Sequence, residues 1–162
     1  VIDVGPDVRW EGAARVRDFM AARRGGSLDQ HIERALRFNP GRDRRLLATS
    51  LLHNLRPVGD GEWEWKYDPR PFVDVDIEDI AQRQRQLWDV IPQIIAPTLV
   101  VRGLRSDVFL EDDAAKLVHA LTDGRLVRVD AGHTVQGDNP RELVDMLRMF
   151  FRSCLVPPLW TR

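Results

Sequence analysis

Pro97-Thr98-Leu99-Val100-Val101-Arg102-Gly103, followed by Leu104-Arg105-Ser106-Asp107, decides how this chain folds. A short apolar, β-branched run opens after a proline and stops abruptly in glycine and charge, the pattern of a buried strand that ends in a loop. A second run, Arg125-Leu126-Val127-Arg128-Val129-Asp130, ends in Ala131-Gly132-His133. Between them Asp112 and Asp113 favour a helix amino terminus through the macrodipole. Ala114, Leu117, Val118 and Leu121 follow as an apolar stripe, with Gly124 as the expected stop. A strand–helix–strand unit of this size makes two parallel neighbours. Parallel strands lie about 4.8 Å apart, so side chains in the loops past their carboxyl ends can meet. Asp107 and His133 are the two side chains so placed.

Working outward, Asn139 can cap a last helix with Pro140 at its first position, and Leu143, Leu147, Phe150 and Phe151 are expected to face inward. At the other end Val1-Ile2-Asp3-Val4-Gly5-Pro6 reads as a buried strand cut open, without methionine or a polar lead-in. Natural termini are usually frayed and polar, so further sequence upstream is expected. The stretch between is mainly helical. Glu11 to Arg24 carries Ala13, Val16, Phe19 and Met20 on one side. Ser27-Leu28-Asp29-Gln30 has capping-box form, with Leu28, Ile32, Ala35 and Leu36 behind it. Asp43 to Leu55 stacks Leu47 on Leu51, with Pro57 beyond its end. Gly59-Asp60-Gly61 and the alternating Trp63, Trp65 and Tyr67 predict a short hairpin. Asp68-Pro69 and Arg70-Pro71 are turn signals. Glu78 to Val90 then reads as a helix with Ile80, Leu87, Trp88 and Ile91 inward.

With 162 residues the chain can bury a core of its own. Its formal net charge of −1 provides no field to recruit nucleic acid or an anionic membrane. The basic Arg42-Asp43-Arg44-Arg45 is interleaved with acids and reads as a solvated helix face. Cys154 is single, which excludes an internal disulfide, and it reads as an inert thiol. No apolar run approaches the roughly 20 residues of a membrane span. Neither metal-ligand spacing nor a glycine-rich phosphate loop is visible, so no metal and no cofactor are expected. The expected partner is a small-molecule substrate, and the expected location is cytoplasmic.

Three groups of residues carry a resemblance: Asp3-Val4-Gly5-Pro6 closing a strand, the 97–103 run followed by Ser106-Asp107-Val108, and Gly132-His133-Thr134-Val135-Gln136-Gly137-Asp138-Asn139-Pro140. In this order and at these separations they resemble the carboxyl-terminal half of the α/β-hydrolase superfamily. The resemblance implies an α/β fold of three parallel strands with flanking helices, in which residues 1–6 and 93–162 form a partial hydrolase core. Residues 7–92 would be a helical cap inserted over the active site. It maps Asp107 to the acid and His133 to the base of a Ser-Asp-His triad, and implies a serine hydrolase acting on an ester-like small substrate.

The chemistry of the pair is simple. An acid that accepts the imidazole Nδ1–H fixes the tautomer and leaves Nε2 to take a hydroxyl proton. The resemblance makes residues 1–6 the sixth strand of the sheet, and since some relatives place the acid after that strand, Asp3 is a rival acid. Superfamily members carry the nucleophile in a G-x-S-x-G elbow, and none of Ser27, Ser50, Ser106 and Ser153 lies in such a frame. Ser106 reads as a turn residue. Two other readings remain open on the sequence: a non-catalytic fragment or interaction module without a nucleophile, and an epoxide hydrolase or dehalogenase with an upstream aspartate nucleophile. His31, His53 and His119 lack acidic partners in register, and Trp63, Trp65 and Trp88 are read chiefly as cap packing.

Overall fold

The structure is a computed structural model that describes residues 1–7, 14, 15, 18, 19, 25–68 and 77–155. The helix expected over Glu11–Arg24 and the turns at Pro69 and Arg70-Pro71 lie largely outside the described residues. The chain divides into two compact units, Val1–Arg9 with Ala81–Arg162, and Trp10–Ile80.

The first unit is built on two parallel strands, β3 (Thr98–Gly103) and β4 (Gly124–Val129), paired in register from Thr98↔Gly124 to Gly103↔Val129. Residues 1–3 extend this sheet on the free side of β3. Val101 N–H donates to Val1 O at 2.9 Å, Asp3 N–H donates to Val101 O at 2.7 Å, and Ile2 bridges Val101 in parallel. β3 is therefore central, and it is buried from Leu99 to Gly103. Alternation along it separates two apolar layers. Val100 packs with Ile91, Phe109, Ala114, Leu117 and Leu121. Leu99 and Val101 pack with Val129, Ala131, Val135 and Leu143.

Helix α4 (Glu111–Ala120) supplies Ala114 and Leu117 to the first layer, as its stripe predicts. The expected stop at Gly124 is corrected. The helix ends at Ala120, and Gly124 opens β4. A Cβ there would lie 2.7 Å from Val118 O and 2.9 Å from Leu121 Cβ, so the glycine permits the strand to start against the helix end. Val135–Asp138 forms the short helix α5. Asn139 then caps α6 (Pro140–Leu155), its Oδ1 accepting Glu142 N–H at 3.3 Å while its amide donates to Glu142 Oε2 at 2.6 Å. Leu143, Leu147 and Phe150 pack with Met146 on the second layer. Phe151 does not face inward. It is 58% exposed, because its position lies about 80° around the helix from Leu143 at 100° per residue.

Helix α3 (Ile77–Val90) runs into a 3-10 turn, Ile91–Gln93. Trp88 packs on the first layer beside buried Ile91, and its indole N–H donates to Asp7 Oδ1 at 2.8 Å. Leu87, expected inward, is exposed, since the side of α3 that meets the core is set by Trp88. Trp88 thus packs in the first unit.

The second unit holds α1 (Leu28–Phe38), α2 (Arg44–Asn54) and an antiparallel hairpin of β1 (Leu55–Gly59) and β2 (Glu62–Trp65). Ser27 and Gln30 close the expected capping box, and Asp43 accepts the amides of Arg45 and Leu46 at 2.9 Å each. Asp60 and Gly61 both have positive φ, at 49° and 76°, the conformation a two-residue type I′ hairpin turn requires. Ile32, Ala35, Leu47, Leu51 and Leu55 form its core, with Trp63 and Trp65 against it. His31 is buried there, with Nε2 2.9 Å from Trp63 O. Among the described residues no helix is long and apolar enough to cross a membrane.

Candidate active site

At the carboxyl edge of the sheet, donors from β3, the loop after it and the histidine loop meet at Asp3. Its backbone sits at φ 49°, a left-handed conformation that aspartate tolerates better than most side chains but that still costs energy. The chain stops pairing with β3 at this residue, and the unusual φ turns the carboxylate back across the end of β3. There it is completely buried and receives three donors. Gly103 N–H donates to Oδ1 at 2.7 Å. Ser106 Oγ–H donates to Oδ2 at 2.5 Å, and His133 Nδ1 lies 2.9 Å from the same oxygen.

The expected Asp107–His133 pair is therefore corrected. The carboxylate on His133 Nδ1 is that of Asp3, 130 residues away in sequence, and Asp107 is exposed on the loop beyond Ser106. The physical reason is Gly103. β3 lies between the strand of Asp3 and the strand of His133, so two strand spacings, about 10 Å, separate them. With no side chain at the end of β3, the backbone of the histidine loop can close over it and bring His133 toward Asp3. A Cβ on Gly103 would lie 2.3 Å from Gly132 O and 2.9 Å from Ala131 O. Asp3-Val4-Gly5 carried a signal of this role, an acid at a strand end, but nothing in its spacing preferred it over Asp107.

The histidine loop is held from both sides. Leu104 N–H donates to Val129 O and Arg105 N–H to Ala131 O, both at 2.9 Å. The Arg105 side chain pairs with Asp130, and Asp138 Oδ2 accepts Gly132 N–H at 2.9 Å. His133 itself is half-buried, and no described residue bonds its Nε2. An ionised carboxylate can only accept, so the proton of the pair lies on Nδ1 and Nε2 carries the free lone pair. Farther along the sheet face, Arg102 and Arg128 meet at Glu111, and the hydrogen bond from Arg128 holds that carboxyl below its ordinary pKa.

Among the described residues there is no group of three or more His, Cys, Asp or Glu that could hold a metal ion. His53 and His119 are exposed, apart from this cluster in sequence and on helices. Trp63 and Trp65 pack in the second unit.

Gly103→Ala tests the crossing. It should destabilise the protein by about 1–3 kcal/mol, because the added methyl meets backbone oxygens that cannot turn aside. It should also change the chemical shifts of His133. Urea unfolding and imidazole NMR resonances measure the two effects, and unchanged values of both would mean that the close approach is absent.

No protein-family model matches the chain. Over 112 residues it is 35% identical to Esterase Rv0045c of Mycobacterium tuberculosis, across 67% of this chain and 35% of that protein. Over 103 residues it is 32% identical to a 3-hydroxybutyrate-oligomer hydrolase of Cupriavidus necator, across 61% of this chain and 35% of that one. The crystal structure of the mycobacterial esterase matches 93% of this chain and 50% of its own, with a TM-score of 0.69 and 28% identity. That of E-2-(acetamidomethylene)succinate hydrolase matches 93% of this chain and 56% of its own, with a TM-score of 0.76 at 19% identity, a likeness of fold alone. The matched stretch thus spans 35% of the length of each curated relative.

Proposed function

This chain belongs to the α/β-hydrolase superfamily, and from that premise we propose that it carries the acid and the base of a hydrolase acting on an ester-like small substrate. Asp3 is the acid and His133 the base. The observation that carries this reading is the 2.9 Å contact of His133 Nδ1 with a fully buried carboxylate at the carboxyl edge of a parallel sheet. Active sites of open α/β sheets form at that edge.

In the reaction, Nε2 takes the proton of a nucleophilic hydroxyl as its oxygen attacks the ester carbonyl carbon. The resulting imidazolium gives that proton to the departing alcohol, and a water molecule repeats the sequence to release the acid. Asp3 stays ionised throughout and stabilises the imidazolium. Ser106 is not the nucleophile, because its hydroxyl hydrogen is directed at Asp3. Ser27 caps α1, and Ser153 Oγ donates to Phe150 O. The reading takes its nucleophile from a part of the protein other than these 162 residues. On the same reading residues 7–92 are the helical cap that selects the substrate.

The test uses the whole protein, a p-nitrophenyl ester and a fluorophosphonate probe. One serine should be labelled, and labelling should abolish ester turnover. A folded protein that neither turns over ester nor takes the label would overturn the serine-hydrolase reading. An aspartate nucleophile would leave the label off while an epoxide or haloalkane is consumed.

A further inference from the structure

We propose that Ser106 is a positioning residue, which acts through Asp3 on His133 and sets how strongly the carboxylate holds the imidazole. The inference rests on the acid–base reading of Asp3 and His133 and adds a group to it. Ser106 is 5% exposed and sits in the loop after β3. Its Oγ accepts the N–H of Val108 and of Phe109, each at 3.3 Å. A hydroxyl has two lone pairs and a single hydrogen. With both lone pairs facing backbone donors, the hydrogen is left to point at Asp3 Oδ2, 2.5 Å away. That is the oxygen His133 Nδ1 also meets.

Two donors therefore share one carboxylate oxygen in a place water does not reach. Each withdraws charge that the other would otherwise use, so Ser106 weakens the pull of Asp3 on the imidazole while it fixes where that pull is exerted. The anchoring runs deep. Phe109 is 1% exposed in the first apolar layer, and a Cβ on Gly5 would lie 2.6 Å from its ring. The loop that carries Ser106 is thus tied to the core and to the segment that follows Asp3. The other ionisable groups on these loops are Arg105 and Asp130, which pair together, Asp138, bound to Gly132 N–H, Asp113, bound to Leu110 N–H, and exposed Asp107. The Asp3 carboxylate lies on the imidazole itself, 2.9 Å from Nδ1.

The experiment compares wild type with Ser106→Ala, Ser106→Cys and Ser106→Thr in the whole protein. It reads the downfield proton resonance of His133 Nδ1–H, kcat, KM and the pH dependence of kcat/KM. In Ser106→Ala the resonance should move downfield, and the acidic limb of the profile should move to higher pH, because an unshared Oδ2 favours the imidazolium. The value of kcat should fall about tenfold, as expected for one lost hydrogen bond to a charged group, with KM within about twofold. Ser106→Thr should restore all three readouts, and Ser106→Cys, a weak donor of similar volume, should lie between. A merely structural serine would lower the melting temperature and leave the resonance and the limb where they are, and that result in the Ala or Cys variant overturns the proposal. If Ser106→Ala does not fold, Ser106→Cys carries the comparison. A wild type without ester turnover whose resonance still moves on substitution would sink the hydrolase reading and support the positioning role. An active wild type with an unmoved resonance would do the opposite.

Discussion

Replacing His133 by alanine in the whole protein should lower kcat by roughly four to six orders of magnitude while KM changes little. On the proposed reading the imidazole removes and returns the same proton, so its loss should affect both the attack and the departure of the leaving group. Substrate contacts elsewhere are untouched, which is why binding survives. What remains should come from oxyanion stabilisation and orientation alone, and it should lose the acidic limb of its pH dependence. Single-turnover ester cleavage and a pH series on the variant measure this. Unchanged turnover would place the base elsewhere.

Asp3→Asn should cost about 10⁴-fold in kcat, and Asp107→Asn less than about threefold. Three donors meet the Asp3 carboxylate. Asp3 Oδ1 faces Gly103 N–H, and Oδ2 faces both the Ser106 hydroxyl and His133 Nδ1. An asparagine amide has one oxygen and one donating NH₂, so neither of its orientations satisfies all three neighbours. With its oxygen toward His133, the NH₂ meets the amide of Gly103. With the oxygen toward Gly103, the NH₂ meets the imidazole and forces the proton to Nε2, where the nucleophile needs a lone pair. Stability should fall as well, since a buried donor is then left without an acceptor. Asp107 is exposed, and its substitution leaves that network intact. Side-by-side kinetics of the two variants, with circular dichroism to show that both fold, decide between the carboxylates. Loss of activity in Asp107→Asn but not in Asp3→Asn would return the acid to Asp107.

Whatever depends on neighbours along the chain follows from the residues alone. The β3–α4–β4 succession follows from two apolar runs around a stripe at helical spacing. Ser27 and Asn139 cap their helices because a short polar side chain before an apolar run satisfies amides within the next three residues. Asp60-Gly61 makes the hairpin turn for reasons held in those two residues. His133 was legible too, because Ala131-Gly132-His133 directly follows a strand. At Leu87 and Phe151 the apolar periodicity runs one position past the buried face, and the packing partner sets that face instead.

Which carboxylate the histidine meets is set by how the strands pair. Asp107 and Asp3 both stand just past a strand, and chain distance favours Asp107. Strand order places β3 between Asp3 and His133, and the outcome then turns on three things no window of sequence displays. A positive φ turns Asp3 back over the sheet edge, Gly103 lets the histidine loop close over the end of β3, and Ser106 is drawn under the carboxylate by the amides of Val108 and Phe109. A buried charge is stable only where enough donors meet it. Those donors come from residues about a hundred positions away, and they become neighbours only once the strands have paired.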